Sequence, residues 1–267
     1  MTRIALGIAY NGASFHGWQY QIPGLSTIQD SVQLSLSKVA NHPVSVTCAG
    51  RTDSGVHATN QVIHFDTHAV RKLDAWVLGS NANLPGSISV NWAREVPMQF
   101  DARHSAVSRR YIYIVVNNRI RSGLMSEMAT REHRPLDAAL MHEAAQALLG
   151  ENDFSSFRAA NCQSKTATRN IHHIRIERSG ELVVFDIEAN AFLHHMVRNI
   201  AGVILDIGAG DKPVSWAGQL LSLRDRTRAS VTAPPSGLYL IQVDYPDYGE
   251  LPKGPQLPHF LGNLPIN

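Results

Sequence analysis

Residues 26–65, STIQDSVQLSLSKVANHPVSVTCAGRTDSGVHATNQVIHF, decide the fold. Ile28, Val32, Leu36 and Val39 recur at helical spacing, Ser26 and Gln29 have the separation of a capping box, and Asn41, His42 and Pro43 stop the run. Val44, Val46 and Cys48 then alternate as a strand, and after a loop over Ala49–Asn60 a second strand follows at Gln61–Phe65. Upstream, Ile4–Tyr10 reads as a strand that leads into a loop with Gly12, Gly17 and Gly24; downstream come a helix at Leu73–Asn83 and a strand at Ile88–Ala93. The order strand, helix, strand, strand, helix, strand is that of a ferredoxin-like unit, the layout also used by sheet-type nucleic-acid modules.

The rest of the chain repeats it. Arg110–Val116 alternates as a strand, and Pro135, Leu136, Leu140, Ala144 and Leu148 mark a helix closed by Gly150. Strands at Ile171–Glu177 and Leu182–Ala189 flank Ser179 and Gly180 as a hairpin; helices from Ala191 and Val214 follow, then a strand at Leu238–Val243. The pattern predicts an α+β fold of two pseudo-repeated ferredoxin-like halves, residues 1–104 and 105–245. They are expected to join into one mostly antiparallel sheet with helices on one side. The segment 246–267, rich in Pro and Gly, reads as an extended tail.

Composition closes off other classes. Hydrophobic residues are 44% and charged residues 17% of 267, which is neither disordered, collagen-like nor coiled-coil usage. No apolar run approaches the ~18 residues of a membrane span, and the stretch after Arg3 is cut by Asn11, so a soluble, cytoplasmic protein is expected. Two cysteines, Cys48 and Cys162, can build neither a disulfide framework nor a four-thiolate zinc site, and two reduced, buried thiols are expected. The net charge is +2, but 19 of the 24 basic residues are Arg, the planar bidentate donor. Arg94–Arg134 and Arg158–Arg178 are each locally +4, which marks a polyanion-binding face or a plain solvated surface.

Three segments can carry chemistry. The loop Ala49-Gly50-Arg51-Thr52-Asp53-Ser54-Gly55-Val56-His57 sets a carboxylate between two glycines that permit close approach of a substrate; a turn that merely joins strands is the competing reading. With no second acid in the loop, a lone carboxylate acting as nucleophile or charge stabiliser is more natural than a paired-carboxylate hydrolase. On the apolar run Phe192–Ile204, Arg198 is a solitary charge that needs an anion, with Asp53 the candidate, unless it snorkels to solvent. Tyr111 and Tyr113 share one strand face, as base-stacking surfaces or as packing, with Arg110 and Ile112 on the other. The pairs His172-His173 and His194-His195 do not suit a metal, because neighbours on a strand or helix point apart; no metal ligand is assigned. Phosphate-loop and dinucleotide fingerprints are missing.

These motifs together resemble the tRNA pseudouridine synthase A family over nearly the whole chain. The resemblance rests on Phe15-His16-Gly17-Trp18-Gln19, Ala49–His57, Asn81-Ala82-Asn83-Leu84-Pro85, Arg109–Tyr113, Gly150–Phe154, Phe192–Gly202 and Gly237–Leu240, with Ser54 where the family usually has Ala. It implies a cofactor-free isomerase that converts uridines 38, 39 and 40 of the tRNA anticodon stem-loop to pseudouridine by base flipping, working as a homodimer with an RNA cleft on the sheet face opposite the helices. By the same resemblance, Asp53 matches the catalytic nucleophile and Tyr111 the catalytic ring that stacks on the flipped base and is a candidate acceptor of its C5 proton. Arg198 matches the Arg that pairs with the carboxylate, Arg51 the side chain that enters the vacated stack, and Leu238 an apolar wall. A duplicated RNA-binding module without catalysis and a His-dependent metallohydrolase are the competing functions.

Overall fold

The computed structural model describes residues 1–22 and 24–262; the last five residues of the expected tail lie outside them. The chain forms two compact units, Met1–Val107 with Tyr239–Phe260, and Ser108–Leu238 with Leu261 and Gly262.

The first unit contains β1 (Thr2–Tyr10), α1 (Ile28–Ala40), β2 (Thr47–Cys48), β3 (His57–Thr67), α2 (Leu73–Asn81) and β4 (Ile88–Val96). β1 runs antiparallel to both β3 and β4, with Leu6 opposite Ile63 and Ala93. The α1 helix buries Ile28, Val32 and Leu36 as the periodicity requires, whereas Val39 is only half-buried and Ala40 is buried beside it; Asn41 closes the helix in the left-handed region. Its cap differs from the expected one. Thr27, not Ser26, accepts from the Asp30 amide, because the Ile28 and Gln29 amides are already held by the Gly17 and Trp18 carbonyls and the Gln29 side chain accepts from Tyr20.

The strand expected from Val44 shrinks to β2 for a comparable reason. The Val44 amide donates to Ser37 Oγ and the Val46 amide to Gln33 Oε1, so α1 side chains take the donors a ladder would use. β3 starts four residues before Gln61, at His57, and absorbs part of the expected loop. The unit is completed from the far end of the chain: in the strand β10 (Leu238–Asp244), Tyr239 and Leu240 pair in parallel with His57 and Ala58.

The second unit contains β5 (Ser108–Asn117), β6 (Thr130–Glu132), α3 (Ala138–Gln146), β7 (Gly150–Asp153), β8 (Thr168–Ser179), β9 (Leu182–Ala189), α4 (Met196–Gly208) and α5 (Trp216–Leu223). β5, β9, β8 and β7 pair antiparallel in that order, and β6 lies parallel on β5. Within both units the chain is α+β with mostly antiparallel pairing, as the pattern predicts. Gly150 does not close a helix; α3 ends at Gln146 and Gly150, at φ +82°, opens the unforeseen β7. The α4 helix begins at Met196, five residues later than expected. Asn190 pairs with Asn170, and its side chain takes the Ala191 amide, so the chain stays out of helix until His195, at φ +61°, turns it. Both cysteines are free thiols; Cys48 is buried, which pushes its thiol up to about 12, whereas Cys162 is only half-buried, contrary to the expectation.

Across β5 and β9, Arg110 makes a bidentate pair with Asp186, Nε to Oδ1 at 2.7 Å and Nη2 to Oδ2 at 2.5 Å, and His173 Nε2 lies 3.2 Å from Oδ2. Arg110 and Asp186 are 8% and 3% exposed. Burial pushes the Asp186 carboxyl up, but the hydrogen bonds from Arg110 and His173 outweigh it and hold the group below the usual carboxylate range. A carboxyl with a lowered folded-state pKa stabilises fully above its unfolded value of about 4 and loses that contribution as pH falls through the folded value. Chemical denaturation of Asp186→Ala should show a loss of about 3 kcal/mol, because Arg110 is left buried and unpaired. The double variant Arg110→Met/Asp186→Leu should lose less than Asp186→Ala; a double loss equal to the sum of the losses in Arg110→Met and Asp186→Leu would contradict the pairing.

Candidate active site

In the first unit the Asp53 loop is a tight turn set on a shelf made by the glycine-rich segment after β1. The Val56 amide donates to the Asp53 carbonyl at 3.1 Å, with Gly55 at φ +77°. Gly17 sits at φ +85°, and a Cβ there would come within 2.8 Å of the Thr52 carbonyl oxygen and 3.1 Å of the Asp53 carbonyl carbon. A Cβ on Gly12 would meet the Val56 carbonyl at 1.9 Å, and the Gly12 amide donates to His57 Nδ1 at 3.1 Å. The Trp18 amide donates to the Thr52 carbonyl at 2.9 Å, with the Trp18 indole buried beside Tyr10 at a ring separation of 6.1 Å. Backbone therefore touches backbone along the whole shelf. Asp53 is half-buried and Arg51 exposed, on the same turn. Ser54 fits without cost to the turn, since its hydroxyl donates to the Phe15 carbonyl at 3.1 Å.

The second unit holds Tyr111, Arg198 and Leu238. Tyr111, on β5 opposite Ile187, is buried with its ring edge-on to Phe192 at 5.2 Å. Tyr113 on the same face is spent on structure: its hydroxyl donates to the Pro234 carbonyl at 2.9 Å and shares a 2.6 Å hydrogen bond with Thr130. Burial pushes its phenol pKa up, and the Thr130 bond and the nearby Arg198 charge offset part of that rise. Arg198 stands in the first turn of α4 and does not merely snorkel; its Nε donates to the Ala233 carbonyl at 2.8 Å, and the Ala233 amide donates to the Arg198 carbonyl. Leu238 is buried at the start of β10, just after Gly237, whose Cα side faces the Ile114 carbonyl so closely that a Cβ would lie 2.5 Å from it.

What sequence pattern missed is the strap 230–234 that holds Arg198. Asn199, 1% exposed, donates to the Phe157 carbonyl and accepts from Arg226 at 3.0 Å and from Thr232 at 2.7 Å, while Gly202 lets the Val231 carbonyl approach α4. A polar Asn inside an apolar helix run was the one available signal. Phe192 was missed as a partner of Tyr111 because it lies in the irregular lead-in to α4. Contrary to the expectation that the neighbouring rings point apart, His194 and His195 lie in that lead-in before the helix, with ring centroids 4.0 Å apart. His173 is engaged by Asp186 and His194 Nδ1 by Asn161 Oδ1.

Gly17→Ala tests the shelf. The substitution strains a positive φ and drives a methyl into the Thr52 carbonyl, so loss of stability of about 1 to 2 kcal/mol is expected on thermal unfolding. A variant as stable as wild type would show that the shelf does not confine the turn.

Comparison with known proteins supports one family. The family model for tRNA pseudouridine synthase matches residues 8–105 and 144–246. The chain is 54% identical to a tRNA pseudouridine synthase A of Cronobacter sakazakii, over 98% of this chain and 97% of that one. It is 54% identical to a protein of the same name from Pseudomonas aeruginosa, over 99% and 93%, and 55% identical to one from Salmonella paratyphi B, over 98% and 96%. Among solved structures, a Cbf5-Nop10-Gar1 complex matches 89% of this chain and 48% of that chain at 12% identity and a TM-score of 0.34, too remote to add weight. With the family model and full-length relatives in agreement, the chain belongs to the tRNA pseudouridine synthases, isomerases that turn uridine into pseudouridine in tRNA.

Proposed function

We propose that this chain isomerises uridines 38, 39 and 40 of the anticodon stem-loop, with Asp53 as the nucleophile. The observation that carries the reading is the Asp53 turn on its glycine shelf, a carboxylate offered from backbone that cannot relax. The net reaction is a rearrangement. The bond from N1 to ribose C1′ breaks, C5 bonds to C1′, the C5 proton leaves, and a proton is taken up at N1. Nothing is oxidised and no water is consumed, so the balance calls for no cofactor. The target base is stacked in RNA and must be flipped out, at a cost of a few kcal/mol that contacts to the backbone offset.

In this reading Arg51 fills the vacated stack, which suits its exposed place on the Asp53 turn. Tyr111 stacks on the flipped base and is the candidate acceptor of its C5 proton, Leu238 walls the pocket, and Arg198 pairs with the carboxylate and aims it. The strap that takes Arg198 Nε at Ala233 supports a fixed guanidinium of this kind. We further read the two units as pseudo-repeated ferredoxin-like halves, and the working protein as a cytoplasmic homodimer with tRNA as its partner.

The test uses unmodified tRNA labelled with tritium at uridine C5. Wild type should release tritium, and release should fall stepwise as uridines 38, 39 and 40 are replaced by cytidine. Tight tRNA binding with no release would favour the non-catalytic RNA-binding module. Arg198→Ala should lower kcat by about 100-fold or more while tRNA affinity stays within about threefold. Equal losses in both would sink the proposed pairing.

A further inference from the structure

Gln61 is an amide with no exposed surface on β3, opposite Ile8 of β1, where an apolar side chain would be the default. A buried amide is tolerated only where its hydrogen bonds are made, and those of Gln61 all go toward the Asp53 turn. Its Oε1 accepts from the Gly50 amide at 3.3 Å, its Nε2 donates to the Gly50 carbonyl at 2.5 Å, and the same nitrogen donates to Tyr10 Oη at 3.4 Å. Tyr10, also buried, in turn shares a 2.8 Å hydrogen bond with Thr52 Oγ1. Gly50 is thus gripped at both its amide and its carbonyl, and Thr52 at its hydroxyl and, through the Trp18 amide, at its carbonyl. Arg51 lies between the two clamped residues and Asp53 directly after them.

We propose that Gln61, Tyr10 and Thr52 are positioning residues for the isomerisation: a buried relay from β1 and β3 that fixes the backbone on both sides of Arg51 and so sets the aim of the Asp53 carboxylate. The proposal rests on the reading of Asp53 as nucleophile. Its chemical logic is that a near-attack geometry loses rate steeply with small displacements of the attacking group, while binding of the long RNA does not depend on them. Ring packing of Tyr10 against Trp18 and the shape of Thr52 are separable from the hydroxyls, so the relay can be cut without removing bulk.

The experiment compares Tyr10→Phe, Thr52→Val, the double variant and Thr52→Ser by steady-state tritium release, with thermal unfolding of each protein. The relay requires kcat to fall roughly tenfold in Tyr10→Phe and in Thr52→Val with KM for tRNA within about twofold. The double variant should be no slower than the slower single, since Tyr10→Phe already removes the hydrogen bond that Thr52→Val removes, together with the one from Gln61. Thr52→Ser, which keeps a hydroxyl, should recover most of the rate. Unchanged kcat in both singles, a rate loss fully accounted for by unfolded protein, or Thr52→Ser no better than Thr52→Val would each overturn the proposal alone. Asp53→Ala run alongside separates the two claims: wild-type turnover there would overturn the underlying reading and the relay with it.

Discussion

The Asp53 turn exists in its present form because Gly12 and Gly17 carry no side chains. The carbonyls of Thr52 and Val56 lie where a Cβ on either glycine would stand, and Gly17 holds a positive φ that costs other residues about 1 kcal/mol or more. Once the two backbones touch, the rest of the first unit follows as support. Trp18 is buried and donates to Thr52, the Gly17 and Trp18 carbonyls take the first amides of α1, and His57, at the start of β3, accepts from Gly12. One segment of irregular chain, Phe15–Gln19, therefore starts a helix and braces a turn at once.

The second unit solves a different problem, that of keeping charge inside an apolar frame. Arg110 and Asp186 do it by mutual bidentate bonding across β5 and β9. Arg198 does it through the strap, which is itself tied by Asn199, Arg226 and Thr232 and admitted to α4 by Gly202. The two arrangements differ in consequence. The ion pair, with His173 also on the Asp186 carboxylate, serves stability, whereas the strap fixes Arg198 by Nε and so constrains the plane of the guanidinium.

Regular elements were legible where one face is buried and the period is clean. The α1 helix shows Ile28, Val32 and Leu36 buried as read, and the β8–β9 hairpin turns at Gly180 as expected. Three of the misplaced boundaries come from other acceptors, side chains or loop carbonyls, competing for backbone amides. Ser37 and Gln33 shorten β2, Asn190 delays α4, and the Gly17 and Trp18 carbonyls take the first α1 amides and leave the cap to Thr27, none of which appears in a hydrophobic pattern. Of the candidate site, the Asp53 loop announces itself through its two glycines. The relay from Gln61 through Tyr10 to Thr52 was invisible, because each member sits in a segment that reads only as strand or loop and their meeting depends on the register of β1 against β3.

A carboxylate aimed by rigid backbone, with an arginine held on its own strap, suits a rearrangement in which one intermediate must stay in place while a base turns. Single-turnover tritium release by Asp53→Asn, measured with tRNA affinity and thermal stability, tests that account most directly, since the amide keeps the size of the side chain and removes its charge. The account requires a rate loss of about 1,000-fold or more with binding and stability retained. Release within about tenfold of wild type would contradict it.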